Sequence, residues 1–97
     1  MKLTHDVRID KDTVCTTTLT VENGWMRLDH VSADEYVGGS SLRLAHVVRV
    51  EKQPQRLADG ETYFWITLTD RDANKATIPF ALTEAEVGQL DDAIVAA

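Results

Sequence analysis

The chain has 97 residues, enough for one domain built around a single core. Its apolar fraction of 43% and charged fraction of 27% are those of an ordinary folded globular chain. A net charge of −6 argues against direct nucleic-acid binding by the surface at large, and no apolar run approaches the roughly 18 residues of a membrane span.

Met1 to Asp6 lacks the apolar centre of a secretion signal. Cys15 stands alone and excludes an internal disulfide, so a cytoplasmic location is expected. From Leu3 to Asp10 the chain alternates, with Leu3, His5, Val7 and Ile9 on one face, as a half-buried strand does. Asp10-Lys11-Asp12 reads as a polar turn. Thr13 to Val21 is rich in β-branched residues and sets Cys15, Thr17, Leu19 and Val21 against a threonine-rich outer face. Asn23-Gly24 tolerates the positive φ angles of a type I′ turn and predicts a hairpin. The next strand, Trp25 to Val31, points Met26, Leu28 and His30 inward and Trp25, Arg27 and Asp29 outward.

Ser32 to Ser41, with its Gly-Gly pair, reads as a loop carrying one large side chain, Tyr36. Leu42 to Lys52 is strand-like, but its apolar spacing changes after Leu44, which predicts a bulge or tight bend between two short strands. Gln53 to Glu61 reads as a second loop. Phe64, Ile66 and Leu68 alternate with Tyr63, Trp65 and Thr67 in the strongest strand pattern of the chain. A polar turn over Asp70 to Lys75 leads to a short edge strand ending near Pro79 and Phe80.

A helix is predicted from Thr83 onward. Thr83 is placed to cap it and Glu86, three residues on, completes a capping box. Leu82 and Val87 are spaced for a hydrophobic staple, and Glu84 and Glu86 favour the positive end of the helix dipole. Val87, Leu90, Ile94 and Ala97 form one apolar stripe, with Asp91 and Asp92 facing water. The expected fold is α+β or mainly β: a small antiparallel barrel or sandwich of six to seven short strands with one C-terminal helix packed on it.

The stretch from Ser41 to Ala97 resembles the bacterial branch of the PH-like superfold. Leu42, Leu44, Val47 and Val50 match its apolar spacing, Tyr63–Thr69 looks like its following strand, and Glu84–Ala96 looks like its closing helix. The resemblance implies a β-barrel capped by that helix. Lipid-binding members usually carry a basic loop between the first two strands. Lys11, between two aspartates, departs from that pattern and argues against lipid binding.

No nucleophile motif, phosphate loop or dinucleotide fingerprint is present, and an enzyme is not expected. His5, His30 and His46 lack metal-ligand spacing, and Asp70-Arg71-Asp72 lacks the ligand ladder of a calcium loop, so neither metal nor cofactor is expected. Cys15 has no basic neighbour to activate it. A protein-binding role is the default, as an interaction module or small structural subunit. Trp25, Tyr36, Tyr63 and Trp65 are the candidate anchors for another protein or a second copy, although Tyr63 and Trp65 have an alternative place beneath the helix.

Charge gives two further candidates. From Arg43 to Arg56 there are four basic residues against one acidic, so Arg43, Arg49 and Lys52 are candidate anion ligands. Asp70, Asp72, Glu84, Glu86, Asp91 and Asp92 gather in the last third of the chain. As an acidic surface they suggest an alternative: an inhibitor, for example virus-encoded, that mimics nucleic acid in a basic site.

Overall fold

The alternation over 13–31 becomes a regular hairpin. The computed structural model of the chain describes residues 1–8, 10–33 and 35–97; Ile9, read as part of the first strand, and Asp34, in the predicted loop 32–41, lie outside the described residues. β1 (Lys2–Arg8), β2 (Val14–Glu22), β3 (Trp25–Ser32) and β4 (Glu35–Arg43) form an antiparallel meander in chain order. Asn23 and Gly24, with φ of 51° and 81°, make the type I′ turn that fixes Val21 opposite Met26 and Glu22 opposite Trp25. Cys15, Thr17, Leu19 and Val21 are buried as their spacing predicts.

After β4 a 3₁₀ turn, Leu44–His46, carries the chain to the second sheet, and this is the tight bend signalled by the irregular spacing. In that sheet β6 (Thr62–Asp70) is central. β5 (Val47–Arg56) flanks one side, and β7 (Lys75–Thr77) and β8 (Leu82–Thr83) follow one another along the other. Both sheets contribute to one core, in which Leu19, Met26, Ile66, Leu68, Leu82 and Leu90 are almost fully enclosed.

Helix α1 (Glu84–Ala96) begins as its capping box predicts. Thr83 Oγ1 accepts from the Glu86 N–H at 3.2 Å, and Glu86 Oε1 accepts from the Thr83 N–H at 2.8 Å. Val87 and Leu90 are buried, worth roughly 1.5–3 kcal/mol each. Ile94 is half-buried and Ala97 is exposed, so the stripe loosens toward the C-terminal end.

Four expectations are corrected. The predicted loop 32–41 is largely strand β4, and the predicted loop 53–61 is shortened because β5 runs to Arg56. Pro54 fits there because β5 is an edge strand, where a missing N–H costs no ladder bond. The edge strand expected through Phe80 breaks at Thr77, since Pro79 has no donor, and resumes at Leu82. The count is therefore eight strands among the described residues, in two sheets that do not close into one barrel. At one junction His5 of β1 stacks on Phe80, ring centroids 4.2 Å apart. At the other, β4 and β7 flank a cleft of about 370 Å³ and do not pair. No helix among the described residues is long and apolar enough to cross a membrane.

Candidate functional site

The outer face of the first sheet gathers the side chains best suited to binding. Alternation along β3 turns Trp25, Arg27 and Asp29 away from the core that takes Met26 and Leu28. The β4 register sets Arg43 opposite Trp25, Ser41 opposite Arg27 and Gly39 opposite Asp29. The Arg43 guanidinium carbon lies 4.9 Å from the Trp25 ring centroid, within cation–π range. Arg27 Nε donates to both Asp29 carboxylate oxygens, at 3.0 and 3.1 Å. That bond and the Asp29 charge, with a smaller contribution from the Tyr36 phenol, hold the guanidinium even more firmly protonated than usual.

Tyr36 stands across the strand from this row. A β-carbon on Gly39 would come within 2.6 Å of both the Tyr36 hydroxyl and the Leu28 carbonyl oxygen, so the ring reaches over bare backbone. Two shallow clefts result. One, of about 260 Å³, is lined by Trp25, Arg27 and Ser41; the other, of about 110 Å³, includes Tyr36, Gly39 and again Arg27 and Ser41. Trp25 is 41% exposed and Tyr36 58%. The surface is thus two aromatic walls, a floor of glycine and serine, and an arginine between them. Such a site suits a flat or extended ligand with carboxylate or carbonyl groups.

The other two candidate anchors are elsewhere. Tyr63 and Trp65 share the outer face of β6, opposite the side on which Ile66, Leu68 and the helix residues meet. Trp65 is 39% exposed, and its Nε1 donates to Gln55 Oε1 at 2.6 Å. Trp65 therefore does not lie beneath the helix.

The three candidate anion ligands do not converge. Arg43 belongs to the Trp25 face; Arg49 pairs with Glu51 at 3.3 Å; Lys52, on the other face of β5, pairs with Asp91 at 2.5 Å. The six carboxylates also separate. Asp70 is buried and bonded within its own turn, Glu86 closes the capping box, and Asp91, expected to face water, meets Lys52. Asp72, Glu84 and Asp92 remain exposed.

The histidines are dispersed. His30 Nδ1 lies 2.8 Å from Thr17 Oγ1, His5 stacks on Phe80, and the His46 carbonyl accepts the Arg71 N–H. Among the described residues no cluster of three His, Cys, Asp or Glu is placed to hold a metal ion.

Arg27, Asp29, Gly39 and Ser41 were not singled out in the sequence. The Asn-Gly turn carried the signal for the first two, since it fixes the β3 register. Gly39 and Ser41 were hidden by the reading of β4 as loop. Comparison with protein families, with curated proteins and with solved structures finds no match to this chain.

Proposed function

We propose that this chain is a non-enzymatic, cytoplasmic binding module that recognises another protein through the outer face of β1–β4. Trp25 and Tyr36 act as anchors, and Arg27 and Arg43 favour a partner segment bearing carboxylates. The observation that carries the reading is the pairing of two exposed aromatics with two arginines over a floor too small to obstruct contact. Trp, Tyr and Arg are the residue types that most often dominate binding energy at such surfaces. The nucleic-acid-mimic alternative has less support, because three of its six carboxylates are already engaged inside the fold. A PH-like relation belongs to the same proposal. It is supported by a four-stranded meander, a second antiparallel sheet and a C-terminal helix, in that order.

The test is affinity capture from a native host extract with the full chain and three folded variants. A partner retained by wild type and Trp65→Ala, but held at least about tenfold more weakly by Trp25→Ala and Tyr36→Ala, is the expected result. Retention unchanged in Trp25→Ala and Tyr36→Ala, with loss in Trp65→Ala, would move the site to the second sheet and end this proposal.

A further inference from the structure

The seam between β4 and β7 is a cleft whose walls both belong to this chain. Its floor is part of the core, where Met26, Leu28 and Leu42 are almost fully buried. The opening follows from small side chains on the strands that flank it. Ser40 is opposite Leu28 and Ala76 opposite Leu68, so each shares the inward face of its sheet, where longer side chains would meet across the seam and close it. Ser40 is nonetheless exposed. A volume of about 370 Å³ is that of a small-molecule site, and an apolar lining with few polar groups is the usual one.

Asp70 supplies a charge to this cleft. It follows Leu68 at the strand period of two, so it turns inward, and it is only 9% exposed. Asp70 Oδ1 accepts from the Asp72 and Asn74 N–H groups. Oδ2 accepts only from the Asn74 side-chain amide, at 3.2 Å, and keeps acceptor capacity. Among the described residues no lysine or arginine forms an ion pair with Asp70, and the charge of His46 acts on it only weakly. Lys75 also lines the cleft but stands opposite Thr69, on the outer face of the sheet. A carboxylate so far from water is ordinarily matched by a cation. A metal ion needs several oxygen ligands, whereas the floor here is aliphatic.

We infer that the cleft between β4 and β7 binds a small aliphatic ammonium compound, its hydrocarbon chain on Met26, Leu28 and Leu42 and its ammonium group on the Asp70 carboxylate. The ammonium supplies both the opposite charge and a donor for Oδ2. The chain leaves water for the space that Ser40 and Ala76 do not fill. None of these residues anchors a partner on the Trp25 face, so the inference stands independently of recognition there.

Hexylamine, 1-hexanol and hexanoate share one chain and differ in the charge of the head group, which is positive for the amine at neutral pH. Each is titrated into the full chain with backbone amide NMR signals as the readout. Hexylamine should shift the signals of Ser40, Leu42 and Ala76 saturably and bind at least about tenfold more tightly than either analogue. Asp70→Asn should remove that preference, so that hexylamine and hexanol bind alike. Ala76→Leu should fill the cleft and abolish the shifts, while a spectrum that keeps its dispersion shows the variant to be folded. Tighter binding of hexanoate would make Lys75 the anchor and overturn the inference. So would the absence of a saturable shift, shifts confined to the acidic residues of α1, equal binding of all three compounds, or a preference for the amine that survives Asp70→Asn.

Discussion

Gly39 and Gly88 face opposite prospects for a methyl group. At Gly39 a β-carbon would lie 2.6 Å from the Leu28 carbonyl oxygen, part of the backbone, which has little room to yield. At Gly88, midway along α1, nothing lies within 4 Å. Gly39→Ala should therefore destabilise by about 1–3 kcal/mol, as overpacking does. Gly88→Ala should stabilise by about 0.5–1 kcal/mol through helix propensity. Chemical denaturation midpoints check both, and a stabilised Gly39→Ala would show that β4 does not approach β3 as described.

Asp70 supplies a pH dependence. Its partial burial raises the carboxyl pKa, but hydrogen bonds from the Asn74 N–H at 2.9 Å, the Asn74 side-chain amide at 3.2 Å and the Asp72 N–H at 2.9 Å outweigh this. With a smaller contribution from His46, the net shift is downward. A carboxyl that binds its proton less tightly folded than unfolded adds stability above the ordinary aspartate range and loses it as pH falls through the folded value. Between about pH 5 and pH 2 the wild type should lose stability more steeply than Asp70→Asn. Parallel slopes would remove Asp70 from the account.

At the scale of elements, α1 and β4 show what a sequence discloses. The helix start was legible because its signals lie within six consecutive residues, Leu82 to Val87, and Thr83 and Glu86 exchange bonds as their spacing implied. Thr83 is also the last residue of β8, so the cap ties the helix directly to the second sheet. Thr83→Ala should lower stability by about 0.5–2 kcal/mol in thermal unfolding, and Thr83→Ser should restore most of it. An unchanged melting temperature for the alanine variant would mean that docking alone sets the helix. β4 was not legible, because Gly-Gly-Ser-Ser carries no strand propensity of its own. Its pairing is specified by β3, with Ser41 opposite Arg27 and Tyr36 reaching over Gly39. That support comes from across the sheet and leaves no mark in the local pattern.

For the whole molecule, alternation disclosed most strands and the inward residues, but not how two sheets would meet. The Phe80–His5 junction and the unpaired β4–β7 seam join residues far apart in the chain. The same limit applied to the candidate sites. Arg43, Arg49 and Lys52 are close in sequence, yet the 3₁₀ turn and the alternation of β5 send them to three different surroundings. The four aromatics likewise separate into two pairs, one on each sheet.

That separation gives the protein a built-in spectroscopic division. Each sheet carries one indole on its outer face, Trp25 under the Arg43 guanidinium and Trp65 bonded to the Gln55 amide. Intrinsic fluorescence therefore has one reporter per sheet, and replacing either indole by phenylalanine leaves a signal that follows the other sheet alone.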